Sequence, residues 1–285
     1  MRKITDDEIR FFDENGFVIC RGVIQPDELE NFRVESSRLI QEILAAGPAA
    51  ARCNRGPEGV PYYLTYLHAN PNDFSLRLLA HPFIGDLLTR MVGPDFIPCY
   101  ESLVFKLPGR GSSVPWHRDG NSQQSGNERI FNIDLYPDRS TVENSCVWVV
   151  PGSHLWEFGR AAEMARRGRD HFDLPGAVPA ETEPGDVLLH HVKVLHGSTV
   201  NHSEELRRVV YFDNRAVRWN RTYNWFPDDV LARRCLLYQY ALHQRATRPY
   251  PSDDERFAYA PPEGMPTWSP GDSIDLHCAR EVQPS

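Results

Sequence analysis

Trp116-His117-Arg118-Asp119 sets an imidazole two residues from a carboxylate. In a strand or its frayed end, side chains at i and i+2 point to the same side, so His117 and Asp119 can aim a nitrogen and an oxygen at one point. Such a pair is common, and alone it fits a turn-capping pair on a loop as well as a metal site. A second stretch adds to it: Asp186 to Leu195 reads as an apolar strand that runs into His196. Two histidines and one carboxylate on one face of a metal ion, with the opposite positions open, form a facial triad. That donor set suits non-haem iron(II), and its open positions take a chelating 2-oxo acid and O₂.

A 2-oxo diacid also needs a cation for its far carboxylate, ideally the planar fork of an arginine. Arg207 lies at the start of the next apolar strand, Arg207-Arg208-Val209-Val210-Tyr211. A hairpin turning at Asn201-His202-Ser203 would return that strand beside the first, and Ser198 offers a hydroxyl to the same carboxylate. Adjacent Arg207 and Arg208 should face opposite ways, and either one fits a solvent ion pair with Glu204 or Glu205 equally simply. His190 shares parity with His196 and reads as a satisfied core histidine rather than a ligand. His191 reads as packing under outer helices, His154 as holding a turn, and Trp148 as core. Tyr62, Tyr63, Tyr66, Trp219 and Trp225 lie on segments able to cover the mouth of a site, as substrate walls or as ordinary packing aromatics. Asn121 and Gln123, just past the His-x-Asp pair, are placed to line the pocket by position alone.

The elements that must position these residues follow from patterning. Thr5-Asp6-Asp7-Glu8 is a capping box, so a helix starts there and stops near Gly16. Phe17–Cys20 reads as a short strand, and a helix follows Pro26 with an apolar stripe at Leu29, Phe32, Leu39, Ile40 and Ile43. The Gly/Pro-rich stretch 47–70 reads as a long loop. A helix over Phe83–Met91 ends at Gly93. From residue 97 the signals are strands: Cys99–Leu107, Arg129–Tyr136, Cys146–Val150, Asp186–Leu195 and Arg207–Asn214, separated by Pro-Gly and Asn turns. Gly159–Gly168 is a helical insertion, a helix follows Pro227, and the tail from Pro249 is extended. Successive short strands without intervening helices argue for a barrel or sandwich. One domain over residues 1–285 is expected, with a helical part over 5–95, a β core over 97–215 and a C-terminal helix and tail over 216–285.

Hydrophobic residues at 41% and charged residues at 25% are ordinary for a globular chain. No apolar run is long enough to span a bilayer, and MRKITDDEIR lacks the apolar region of a secretory signal, so a cytoplasmic location is expected with no membrane partner. A net charge of −8 argues against nucleic acid. The six cysteines are scattered without a CxxC pair, which fits neither a zinc framework nor a disulfide scaffold. Lysine occurs only at Lys3, Lys106 and Lys193, which draws attention to the latter two.

Taken together, WHRDG at 116–120, ENSCVWVVPGSH at 143–154 and PGDVLLHHVKVLHGSTVNHSEELRR at 184–208 resemble the phytanoyl-CoA dioxygenase family of Fe(II)/2-oxoglutarate oxygenases. The resemblance covers roughly residues 5–215. It implies a mainly β fold with flanking helices around a double-stranded β-helix (jelly-roll, cupin-like) core. It implies Fe(II) held by His117, Asp119 and His196, and 2-oxoglutarate held by Arg207 and Ser198. Lys106 and Tyr66 fall near positions where members of the family place cosubstrate contacts. Related halogenases replace the carboxylate ligand with a small residue; Asp119 is present here, so hydroxylation or desaturation is favoured over halogenation, and hydroxylation of a small molecule with O₂, releasing succinate and CO₂, is the expected outcome. Three other readings use the same residues: a zinc hydrolase, a non-catalytic protein binding metal or a 2-oxo acid, and a structural barrel that binds a partner. Oligomeric state is not written in the sequence.

Overall fold

Thr5 accepts from the Glu8 amide while the Glu8 carboxylate accepts from the Thr5 amide, so the capping box forms and helix α1 runs Asp6–Asn15. Gly16 closes the helix at φ +78°, where a Cβ would meet the His154 ring at 2.5 Å, so only glycine fits this turn. The chain passes directly into strand β1, Phe17–Cys20. These observations come from a computed structural model, which describes residues 2–50, 52–56, 58–70, 72–110, 112–120, 126, 128–168 and 171–278.

Helix α2 spans Pro26–Ala46, with proline at its first position and the expected apolar stripe buried. The stretch read as a long loop instead contains a hairpin, β2 Cys53–Arg55 and β3 Pro61–Thr65. Strands of three and five residues leave too little chain to show alternation, so the turn residues dominate the pattern. Helices α3 Phe74–Leu79 and α4 Pro82–Met91 follow. The remaining strands are β4 Phe96–Lys106, β5 Val114–His117, β6 Phe131–Leu135, β7 Val147–Val150, β8 Val178–Ala180, β9 Val187–His191, β10 Leu195–Ser198 and β11 Arg207–Ala216. Helix α5, Phe158–Arg167, is the insertion between β7 and β8, while α6 Val217–Tyr223 and α7 Asp228–Thr247 end the described helices.

Two antiparallel sheets face each other. The larger has seven strands in the order β1-β9-β6-β11-β4-β3-β2, and the smaller has four in the order β5-β10-β7-β8. Between them lies an apolar cluster of Val104, Val209, Leu188 and Tyr136 from the large sheet against Val147, Val149 and Ala180 from the small one. This is the double-stranded β-helix expected from the sequence. The helices bury the outer face of the large sheet in the main core, where Phe32, Phe74, Leu78, Phe83 and Phe96 are almost wholly excluded from water. No helix among the described residues is long and apolar enough to cross a membrane.

Two sequence expectations about the strands are corrected. Asp186–Leu195 is not one strand: the chain turns at 192–194 and crosses from β9 in the large sheet to β10 in the small one. Its unbroken apolar character arises because both halves are buried, which hides the break. Nor does β11 return beside β10; it pairs with β4 and β6, so Ser198 and Arg207 face each other across the sandwich instead of along a hairpin.

Candidate active site

His117 ends β5 and His196 lies on β10, and the two residues are direct cross-strand partners. That register sets their ring centroids 4.2 Å apart. Asp119 follows in the loop, held by its own amide, which donates to the Val192 carbonyl at 2.9 Å. Asp119 Oδ1 lies 3.6 Å from His117 Nε2 and 3.7 Å from His196 Nε2. Within the triad every donor atom is within 4.8 Å of the others, so a single ion can touch all three. Each histidine has Nδ1 beside a backbone carbonyl two residues back, Pro115 at 2.9 Å and Val194 at 3.0 Å. Donation from Nδ1–H to these carbonyls leaves Nε2 as a lone-pair donor toward the centre. The ligand set therefore fits a divalent metal in tautomer as well as in spacing.

The large sheet supports this cluster from behind. Asn132 Nδ2 donates to Asp119 Oδ2 at 2.8 Å, which fixes the carboxylate and leaves Oδ1 for an ion. His190 Nδ1 donates to Asp134 Oδ2 at 2.9 Å, and its Nε2 lies 3.4 Å from Asp119 Oδ2. Burial opposes a charge on His190, but Asp134 and then Asp119 outweigh it and raise the imidazole to about 10. Burial likewise pushes Asp119 upward, yet the imidazoles of His196, His117 and His190 hold it well below the usual carboxylate range. His196 is driven down to about 3, first by burial and then by His117. His190 is thus a hydrogen-bonded core histidine and not one of the three clustered donors. It connects two carboxylates immediately behind the triad.

A cavity of about 540 Å³ opens over the triad, within the usual range for small-molecule sites. At one end Lys106, the last residue of β4, pairs in register with Arg207, the first of β11. Both are only 2% exposed. Lys106 Nζ donates to Ser145 Oγ and Ser198 Oγ, each at 2.8 Å, and to the Thr199 carbonyl. Burial, then the charge of Arg207, pushes its ammonium down to about 6. Arg207 rests 5.6 Å from the Tyr136 ring centroid, and its Nε and Nη2 are buried without a hydrogen-bond partner among the described residues. A buried guanidinium with unmet donors is costly unless an anion completes it. The distal carboxylate of a 2-oxo diacid has the charge and the planar shape for that position.

Of the other sequence candidates, Tyr62 and Tyr63 line the cavity. Tyr66 does not; it takes a left-handed φ of +51° and turns its ring against Tyr100 at 5.7 Å. Trp219 and Trp225 are also not among the lining residues. Each is 4% exposed within the main core, with Trp225 stacked on Tyr223 at 4.7 Å. They follow β11 on α6 and beyond, which turns them away from the space between the sheets. Asn121 and Gln123 lie outside the described residues. Asn132, Asp134, Tyr136, Tyr211 and Asp213 escaped the sequence reading, although polar residues at alternate positions of β6 and β11 were a usable sign that these strands face a polar interior.

A double-stranded β-helix with a two-histidine, one-carboxylate cluster in its mouth defines a non-haem iron oxygenase. The chain belongs to the phytanoyl-CoA dioxygenase (PhyH) family, whose sequence profile matches residues 12–209. It is a dioxygenase dependent on Fe(II) and 2-oxoglutarate, from a family that acts on small molecules. Among relatives, phytanoyl-CoA dioxygenase 1 of Oryza sativa subsp. japonica is 24% identical, covering 80% of this chain and 95% of its own. The crystal structure of AviO1 from Streptomyces viridochromogenes Tue57 is similar with a TM-score of 0.64 and 26% identity, covering 76% of this chain and 97% of that one. EctD from S. alaskensis, crystallised with 2-oxoglutarate and 5-hydroxyectoine, shares the fold with a TM-score of 0.62 and 21% identity, covering 75% and 77%.

Proposed function

We propose that the chain hydroxylates a small organic substrate, with His117, Asp119 and His196 holding Fe(II), and Arg207, Lys106 and Ser198 holding the distal carboxylate of 2-oxoglutarate. The observation that carries this assignment is the buried guanidinium of Arg207, whose Nε and Nη2 have no hydrogen-bond partner among the described residues, beside Lys106 in the cavity that holds the triad. A hydrolytic zinc centre needs no such anion hole opposite its open positions.

Bound there, iron and 2-oxoglutarate supply the oxidising chemistry, in which O₂ places one oxygen in succinate, with loss of CO₂, and the other in a substrate C–H bond. The chain's own residues bind, orient and shield. Asn132 fixes which oxygen of Asp119 faces the centre, and the Pro115 and Val194 carbonyls fix the histidine tautomers. Val104, Val114, Val147 and Val192 line the cavity and keep its inner part dry. The helices, the β core and the C-terminal α7 act as one oxygenase unit, a reading supported by the packing of α3 and β4 against α7. A cytoplasmic location is supported by six cysteines that are all unpaired.

The test is succinate formation from 2-oxoglutarate by anaerobically loaded Fe(II) protein on admission of O₂. Substrate-stimulated succinate that requires both Fe(II) and O₂, and is abolished in Asp119→Ala, is the expected result. Turnover that persists without O₂ would turn the assignment toward hydrolysis.

A further inference from the structure

The end of the cavity away from Arg207 carries a second polar set that the chemistry above does not use. Strand β11 lines the cavity with Arg207, Tyr211, Asp213 and Arg215. Six residues of extended chain separate Arg207 from Asp213 by roughly 20 Å at the usual strand rise, so the two ends take different molecules. Asp213 Oδ1 accepts from Arg215 Nη1, and Arg215 Nη1 also donates to the Asn214 carbonyl at 3.2 Å. Beside this pair on β4 and β3 stand Ser102, Tyr100 and Tyr63, the two phenol oxygens 2.9 Å apart. Asn54 completes the wall. The strands meet irregularly here: the β4–β11 register shifts after Asp213, where Pro98 of β4 has no amide to give.

We propose that this end recognises a neutral, hydroxyl-bearing substrate, with Asp213 accepting from and Arg215 donating to neighbouring hydroxyls of one molecule. The inference rests on the oxygenase reading of the site. Its argument is charge and pairing. Asp213 and Arg215 cancel each other, and Asp119, the other carboxylate in the described lining, belongs to the triad. A ligand carboxylate drawn to Arg215 would stand against the carboxylate of Asp213, and a ligand ammonium drawn to Asp213 would stand against the guanidinium of Arg215. Either would press like charge on one member of a pair that is buried together, a heavy penalty. A neutral group that both donates and accepts engages the two while the pair stays intact. Tyr62, Tyr63 and Tyr100 add aromatic surface with polar tips, which suits the C–H and O–H faces of a saturated polyol ring. A plain alkyl chain would leave Ser102 Oγ, buried without a partner among the described residues, still unmet, and a site built for hydrogen bonding rejects such a chain.

The experiment uses the full chain with Zn(II) in place of iron and 2-oxoglutarate bound, so that no turnover occurs. Saturation-transfer NMR compares methyl α-D-glucopyranoside and myo-inositol with hexanoate and choline. The polyols are expected to give transfer signals that fall at least ten-fold in Asp213→Asn and markedly in Tyr100→Phe, while both charged probes give none. The 2-oxoglutarate transfer signal in the same tubes reports that each variant keeps a folded site. Saturation of hexanoate or choline with silent polyols overturns the inference. So do polyol signals that are unchanged in both variants. Failure of 2-oxoglutarate to bind the wild-type protein strikes the oxygenase reading instead, which separates the two.

Discussion

Replacing Arg207 by methionine should strengthen the fold of the empty protein while destroying its grip on 2-oxoglutarate. In the free chain Arg207 is 2% exposed, its Nε and Nη2 lack partners among the described residues, and Lys106 stands beside it in the strand pairing. Exchanging buried charge for a well-packed apolar side chain is commonly neutral or stabilising by about 1–4 kcal/mol. At roughly 2 °C per kcal/mol for a domain of this size, the metal-free, cosubstrate-free Tm of Arg207→Met should rise by roughly 2–8 °C. Binding runs the other way. Charge-assisted hydrogen bonds contribute about 1.5–3 kcal/mol each, and two donors are free here. Losing them should weaken the 2-oxoglutarate Kd by roughly 10²- to 10⁴-fold, with Lys106 holding the remainder. Differential scanning calorimetry reads the first effect, and anaerobic titration of the Fe(II) protein, followed by the iron-to-2-oxo-acid charge-transfer band, reads the second. A variant that melts lower than wild type yet binds 2-oxoglutarate within three-fold would show that Arg207 is a structural residue, and the cosubstrate end would have to be sought elsewhere.

Asn132→Ala frees the second oxygen of Asp119, and Fe(II) affinity measured by competition with a chelator should drop about 10- to 100-fold, the usual effect of losing such a support. Lys106 gives a pH signature. Its ammonium falls from the ordinary 10.5 to about 6 in the folded chain, so between those values the folded state holds one proton fewer than the unfolded state, and the stability of the empty protein should rise with pH across that window. A bound dicarboxylate favours the charged lysine, so titration calorimetry near pH 8 in buffers of different ionisation enthalpy should show proton uptake approaching one, and none in Lys106→Met. Gly197 sits between His196 and Ser198, and a Cβ there would meet the Val114 carbonyl at 2.8 Å. Gly197→Ala should therefore cost about 1–3 kcal/mol in urea unfolding and displace β5, which carries His117, so that metal affinity falls along with stability.

Much of the site was legible because its chemistry demands residue types that are rare in a core. The His-x-Asp pair, His196 and Arg207 stand out against apolar neighbours, and the capping box with Gly16 marked α1 to within a residue. What stayed hidden depended on which sheet a strand joins. The apolar run through β9 and β10 has no internal mark of its crossing, because both segments are buried. Without that crossing, the sequence set Arg207 beside Ser198 along a hairpin, whereas the two meet across the cavity. Lys106 looked marginal for the same reason: only the β4–β11 register sets it next to Arg207. The groups that satisfy His190, Asn132 and Asp134, come from a strand more than fifty residues earlier, so the sequence marks a core histidine without naming what it bonds. The aromatic residues misled most, since Tyr66, Trp219 and Trp225 serve a helical core or a turn, and chain position says little about which side of a sheet a loop residue will face.

All three metal ligands belong to the small sheet or to the loop leaving it, whereas the groups bracing them from behind, Asn132 and His190, belong to the large one. An ion bound there would pin the two histidine strands and the Asp119 loop together at the open edge of the sandwich, beside the Asp119–Val192 backbone hydrogen bond. The four-stranded sheet then becomes an opening unit in its own right. In native-state hydrogen exchange its amides should leave their protected state at a lower free energy than those of β6, β9 and β11, and metal should close that gap from one side only, slowing exchange in β5 and β10 while leaving the seven-stranded sheet nearly unchanged.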